Sequence, residues 1–221
     1  AKGWGAALGE SDADVCGKCD IVLLAVKPQQ AKEALAQCGE ALDGKALISI
    51  VAGVTVERLR GMISGNARIL RVMPNTPAMV FEGAFALCAD NDLASEEMAA
   101  AEELFRSIGV VEKVPETLID AVCGLSGGGP AYVAMFIEAM ADGGVACGLT
   151  RPMAMECAAQ TLIGAARLML ETGRHPGALK DAVCSPGGAT IQGVRALEAG
   201  GFRSAVMEAV IAAYEKSAEM K

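Results

Sequence analysis

Between residues 20 and 114, short apolar runs alternate with stretches of helical period, and beyond Glu116 the runs stop. Asp20-Ile-Val-Leu-Leu-Ala-Val26 is unbroken after its aspartate and is stopped by Lys27-Pro28. That is the pattern of a parallel strand covered on both faces. Residues 29–42 then place Ala31, Ala34, Leu35, Cys38 and Leu42 on one helical face. Ala46–Val51 and Arg68–Met73 read as further strands, with a short helix over 55–64 between them. Strand 82–89, helix 95–107 and strand 109–114 complete this half. Strands alternating with helices indicate an open α/β sheet.

From Glu116 helical segments follow one another, at about 116–125, 130–147, 151–172, 176–184, 190–199 and 203–220. Pro130 and Pro152 stand where a helical first turn accepts proline. Residues 1–115 are therefore expected to form an α/β domain, and residues 116–221 an all-α one. Helices 130–147 and 151–172 are apolar on almost every face, and so short a domain offers few layers to cover them. A partner subunit is the expected cover; the alternative is a tight monomeric bundle.

Apolar residues make up 52% of the chain and aromatics 4%, and the formal net charge is −8. A nucleic-acid surface needs a basic patch and often stacking aromatics, so nucleic acid is not an expected partner. The most apolar stretches carry Glu138 and Asp142, or Glu156 and Arg167, so no membrane span is read. The start does not resemble a signal peptide. The eight cysteines lie mostly in apolar helical or strand patterns, which fits reduced core thiols in the cytoplasm. Cys16-Gly-Lys-Cys19 has the spacing of a zinc knuckle or redox pair, but there is no second such pair and His175 is the only histidine. A structural role is expected, with no metal. The eleven methionines read as core filler.

Two glycine-rich runs need weighing. A dinucleotide fold places G-x-G-x-x-G between its first strand and first helix, where helix amides hold the pyrophosphate. Gly3-Trp-Gly5-Ala-Ala-Leu8 matches four letters, but only two residues precede it and no acidic strand end follows at the right distance. Gly127-Gly-Gly129 follows a helix rather than a strand. Neither reads as a phosphate loop, and the sheet is expected to begin at its third strand. His175 precedes Pro176 at a helix start, and without a nucleophile elbow it reads as a cap or surface residue.

The chemistry concentrates late, in Leu179-Lys-Asp-Ala-Val-Cys-Ser-Pro-Gly-Gly-Ala-Thr190. Gly187 and Gly188 let backbone approach a ligand closely, and free amides at the following helix start attract an anion. Ser185 and Thr190 add a hydroxyl on either side of Ala189 and the glycines. Taken alone, such a loop reads as an ordinary capping turn.

It is not alone. Leu-Ala-Val-Lys-Pro at 24–28, Ala-Gly-Val-Thr at 52–55, and Arg71-Val-Met-Pro-Asn-Thr-Pro77 precede it. Asp120-Ala-Val-Cys-Gly-Leu-Ser-Gly-Gly-Gly-Pro-Ala-Tyr132, Ala141-Asp-Gly-Gly144, His175-Pro and Glu198-Ala-Gly-Gly-Phe-Arg-Ser204 complete the series. In this order the motifs resemble the pyrroline-5-carboxylate reductase family over essentially the whole chain. The resemblance implies a Rossmann-type domain, lacking its first strands here, followed by an all-α dimerisation domain. It implies reduction of 1-pyrroline-5-carboxylate to proline with NADPH or NADH, the last step of proline synthesis, by a homodimer or larger homo-oligomer.

Carried over by motif, the resemblance puts the nicotinamide end of the cofactor near Ala25, Val26, Lys27 and Pro28, with Ala52 and Gly53 beside the transferred hydride. It puts the substrate carboxylate on Ser185, Gly187, Gly188, Ala189 and Thr190, with the Thr190 hydroxyl facing the ring nitrogen. Ala182 stands where some members carry an asparagine that touches the cofactor. The strand that selects NADP over NAD is expected to be missing, so cofactor preference is open and NADPH binding by these residues alone is expected to be weak. Related hydroxyacid dehydrogenases carry a catalytic lysine where this chain has Val133 and Ala134, which argues against alcohol oxidation. The competing reading is a non-catalytic oligomeric imino-acid-binding paralogue or fragment that lacks the cofactor.

Overall fold

The computed structural model describes residues 5–220, so the Gly3-Trp4 start of the first glycine run lies outside the described residues. Five strands stand in the sheet in chain order: β1 (Ile21–Leu24), β2 (Ala46–Ser49), β3 (Arg68–Met73), β4 (Gly83–Cys88) and β5 (Gly109–Val114). Pairs β1–β2, β2–β3 and β4–β5 are parallel, whereas β3 and β4 run antiparallel, with Val72 opposite Leu87. The reversal between them passes through Pro74-Asn-Thr-Pro77. There the Asn75 side-chain oxygen accepts from the Ala84 amide at 2.8 Å and ties the turn to β4.

Burial alternates along the central strands. Leu47 and Ile69 face one core with Leu35 and Leu59; Ile48, Leu70 and Val72 face a second with Phe85, Leu87 and Phe105. A sheet covered on both faces requires the continuous apolar runs seen in the sequence. β1 departs from that expectation: Leu23 is 46% exposed and only Leu24 is buried. β1 is an edge strand of this sheet.

The helices cover these faces by the expected periodicity. α1 (Asp12–Gly17), which the apolar pattern does not reveal, is started by Ser11 accepting from the Asp14 amide. α2 (Ala31–Cys38) buries Ala31, Leu35 and Cys38 at spacings of four and three. α3 (Val56–Arg60) is a single turn and a half, and α4 (Ser95–Arg106) buries Ala101 and Phe105. Cys16 and Cys38 share the first core, where burial, reinforced by the Cys16 thiol, pushes the Cys38 thiol up to about 12. All eight cysteines are free, and of Cys16-Gly-Lys-Cys19 only Cys16 joins that core, Cys19 being half-buried.

After β5 the chain is helical: α5 (Ile119–Val122), a wide π turn at Cys123–Gly127, then α6 (Gly129–Ala146), α7 (Arg151–Thr172), α8 (Pro176–Ala182), α9 (Ala189–Ala199) and α10 (Phe202–Glu219). By compactness, residues up to Pro130 together with those from Val210 onward make one unit, and Ala131–Ala209 a second. In the first unit the end of α10 lies against the π turn. A Cβ on Gly124 would sit 2.6 Å from the Val210 carbonyl oxygen and 2.9 Å from the Tyr214 amide nitrogen.

The second unit has a small core of Ala141, Ala154 and Ala158, with Ile137 and Val145 against it. Alanines here let α6 and α7 approach closely, and Gly144 lies against Ala154. Large apolar side chains instead face outward: Met135 is 69% and Leu170 74% exposed. Met79, Met153 and Met207 are exposed too, so the methionines are not mainly core filler as their flexibility suggested. Among the described residues no helix is long and apolar enough to cross a membrane.

The start of the β4–β5 ladder tolerates no side chain. A Cβ on Gly109 would lie 2.0 Å from the Gly83 carbonyl oxygen, a backbone atom held by the ladder itself. Gly109→Ala should therefore destabilise the protein by roughly 1–3 kcal/mol, as overpacking does. The denaturant midpoint would show it.

Candidate functional site

The predicted site residues fall into two local constructions. The first lies at the carboxyl ends of β1 and β2. These strands pair in parallel with Leu24 opposite Ser49, and the Ile50 amide donates to the Leu24 carbonyl at 3.1 Å. Ala25-Val26-Lys27-Pro28 and Ala52-Gly53 therefore leave the sheet side by side. Ala25 and Lys27 are exposed, Val26, Pro28 and Ala52 half-buried, and Gly53 buried. Pro28 opens the 3-10 turn that leads into α2. The crevice beyond the carboxyl ends of parallel strands is where open α/β sheets bind nucleotides. The small side chains of Ala25, Ala52 and Gly53 leave backbone within reach of a flat ring, so these residues fit a nicotinamide.

The second loop is closely held. Gly53 turns in the left-handed region at φ 70, and an added Cβ would meet that of Met220 at 3.3 Å. Arg58 reaches back with Nη1 to the carbonyls of Gly53 at 3.4 Å and Met220 at 3.1 Å. Thr55 caps α3 by accepting from the Arg58 amide. The Val56 amide, first in the helix, donates to Glu116 Oε1 at 2.8 Å.

That carboxylate also accepts from Arg71 Nη1 at 3.2 Å. Arg71 is 2% exposed, and its other terminal nitrogen lies 3.7 Å from Asp120 Oδ1. Asp120, itself buried, accepts from the Ser217 hydroxyl at 3.0 Å. Sequence reasoning passed over this group, yet it had a signal. Arg68 and Arg71 stand three apart in one strand and so point to opposite faces. Arg68 pairs with Glu97, whose carboxyl is held below its usual range first by that guanidinium. Arg71 is left to enter the opposite face, where a charge needs partners.

The second construction is the turn before α9. The Gly188 amide donates to the Ser185 carbonyl at 3.0 Å, with Pro186 and Gly187 between and Gly187 at φ 67. Proline then left-handed glycine is what a type II turn requires. Gly188 is the N-cap of α9 and brings no side chain to its first amides. The Ser185 hydroxyl lies over it: a Cβ on Gly188 would come within 2.3 Å of Ser185 Oγ. Ala189 and Thr190 form the first helical turn, and Ser185, Gly187, Ala189 and Thr190 are all exposed. The free first amides of α9 and the Ser185 hydroxyl thus offer a surface suited to a small anion. Asp181 stands nearby in sequence, exposed and bonded to Lys180 Nζ at 2.5 Å. His175 caps α8, its Nδ1 accepting from the Gly177 amide. Among the described residues no group of three His, Cys, Asp or Glu side chains is placed to hold a metal ion.

A family model described as pyrroline-5-carboxylate reductase dimerisation matches residues 116–220, and one described as NADP oxidoreductase coenzyme F420-dependent matches residues 3–53. The pyrroline-5-carboxylate reductase of Synechocystis sp. is 49% identical over 201 residues, 91% of this chain and 75% of that protein. That of Escherichia coli is 45% identical over 212 residues, 96% of this chain and 79% of that protein. Among solved structures, the Plasmodium falciparum pyrroline carboxylate reductase with NADP bound is similar at a TM-score of 0.89 and 37% identity. That match covers 96% of this chain and 80% of that one.

The turn makes its own demand. An alanine at 187 must adopt the left-handed conformation or abandon the turn, so Gly187→Ala should cost roughly 1–2 kcal/mol. Urea unfolding of the two proteins side by side measures that loss.

Proposed function

Because the chain belongs to the pyrroline-5-carboxylate reductase family, we propose that it reduces 1-pyrroline-5-carboxylate to L-proline with NADPH or NADH. The observation that carries this reading is the turn at Ser185–Gly188, which presents the uncapped start of α9 between two hydroxyls. A substrate carboxylate is the anion it suits. The Ser185 hydroxyl and the amides of Ala189 and Thr190 bind that carboxylate, and Gly187 and Gly188 keep the approach open.

Ala25, Val26, Lys27 and Pro28 hold the nicotinamide end of the cofactor, with Ala52 and Gly53 beside the reacting carbon. When bound, the reduced cofactor supplies the hydride that converts the ring C=N to an amine. The protein's own task is positioning and charge placement. No side chain at the centre of the turn is a proton donor of useful strength, and Asp181 is engaged by Lys180. A threonine hydroxyl is too weak an acid to protonate an imine unaided. The imine therefore enters protonated, and Thr190 holds the ring nitrogen by a hydrogen bond that keeps its geometry as the charge is lost.

Residues 1–115 serve the dinucleotide and residues 116–221 the substrate and dimerisation; the second assignment is supported by the family model over 116–220. A homodimer or larger assembly is favoured by the outward-facing Met135 and Leu170, which the alanine core of α6 and α7 leaves uncovered. A cytoplasmic location suits eight free thiols.

NAD(P)H oxidation by the full-length protein should depend on added pyrroline-5-carboxylate; a folded protein inactive with both cofactors would falsify this function. Thr190→Val keeps the side-chain shape and removes one hydrogen bond, and should lower kcat about 30- to 1000-fold. Ser185→Ala should chiefly raise the substrate KM, because its hydroxyl touches the carboxylate before and during reaction. Steady-state kinetics on both variants separate the two roles. Light scattering at micromolar concentration should show a dimer or larger, and Met135→Asp should reduce it; a monomeric wild type would remove the oligomer.

A further inference from the structure

We propose that Glu116 is a positioning residue for the cofactor loop, acting through the backbone amide of Val56. The inference rests on the assignment of Ala52 and Gly53 to the nicotinamide end of the cofactor, and goes beyond it by naming what aims that loop. Glu116 is sixty residues distant in sequence from Val56 and follows β5, yet its Oε1 accepts the first amide of α3 at 2.8 Å. Two residues separate that amide from Gly53. The first amides of a helix have no partner within it, and α3 is only five residues long, so an outside acceptor for its first amide matters.

The carboxylate is itself fixed. Its Oε1 accepts from buried Arg71 at 3.2 Å, and its own backbone amide donates to Asp90 Oδ2 at 3.2 Å. Arg71 is in turn held by Asp120, and Asp120 by Ser217. The chain of contacts runs from the interior of the sheet to the amide that ends the Ala52–Thr55 loop. Thr55 braces the same loop from within, and Arg58 ties it to the Met220 carbonyl after α10. Glu116 anchors the first amide of α3 itself, from beyond β5.

Val56→Pro isolates the contact. Proline suits the first helical position and removes the N–H while keeping an apolar side chain on the first core, and Thr55 already has the extended conformation that must precede it, φ −75 and ψ 162. In the full-length enzyme, Val56→Pro and Glu116→Ala should each raise the KM for NAD(P)H by about tenfold, the scale of one charge-assisted hydrogen bond. The KM for pyrroline-5-carboxylate should stay within about twofold. Glu116→Gln keeps an oxygen facing the Val56 amide and should restore most of the cofactor affinity. The double variant should be no worse than the poorer single one, since both remove the same bond.

Additive losses, or an unchanged cofactor KM in Val56→Pro, would overturn the proposal while leaving the reductase reading in place. Should Glu116→Ala fail to fold, the comparison of Val56→Pro with Glu116→Gln decides alone. Should the wild type show no turnover, the reductase reading fails instead. Cofactor titration by nicotinamide fluorescence on the same proteins then still tests Glu116: weaker binding in Val56→Pro supports it, and equal binding overturns it.

Discussion

Arg71 projects from the middle of the sheet into a space where it is 2% exposed, and two distant parts of the chain are arranged around it. Glu116 comes from the turn after β5, Asp120 from α5, and Ser217 reaches Asp120 from the last turns of α10. A charge removed from water costs several kcal/mol unless its partners are already in place. The guanidinium therefore acts as a condition on assembly: strand β3 is comfortable only when the start of the helical half and its very end have both arrived. Deleting one partner of such a buried set costs roughly 3–5 kcal/mol, because the remaining charge is stranded. An apolar residue at 71 alone would strip buried Asp120 of its guanidinium and so incur that same cost.

The sheet itself was legible from its apolar runs because it is covered on both faces. Each of the five strands lies within its sequence segment, and the helical face of residues 29–42 is the face that α2 buries. The turn at 185–188 was legible for a different reason: Pro186 and Gly187 each admit few backbone conformations, so chemistry and geometry coincide there. What escaped were features that depend on distant partners. α1 shows only through its Ser11 cap, since a six-residue helix with one buried side chain leaves no periodicity to read. The antiparallel pairing of β3 with β4 depends on a turn anchored by Asn75, which nothing in the apolar pattern reports. Arg71 looks like any surface cation until its face of the strand is known.

The two units also differ in how they hold together. In the first, leucine, isoleucine and phenylalanine from strands and helices fill two cores on opposite faces of one sheet. In the second, three buried alanines stand at the centre while methionine and leucine look outward. Hydrophobic stabilisation follows the apolar area removed from water, so alanine contacts supply little of it. The second unit keeps larger side chains such as Met135 and Leu170 at its surface.

The π turn at Cys123–Gly127 is where this matters beyond the helix itself. Gly124 lets the backbone of α10 come within contact distance, and the segment that follows carries Ser217 to Asp120 and Met220 to Gly53. Any side chain at 124 must push that segment outward. A variant there touches neither the Ala52–Thr55 loop nor the buried arginine, yet both would register it. Screened by activity alone, it would be misfiled among catalytic defects, although the fault is a missing hydrogen atom's worth of space between two helical backbones.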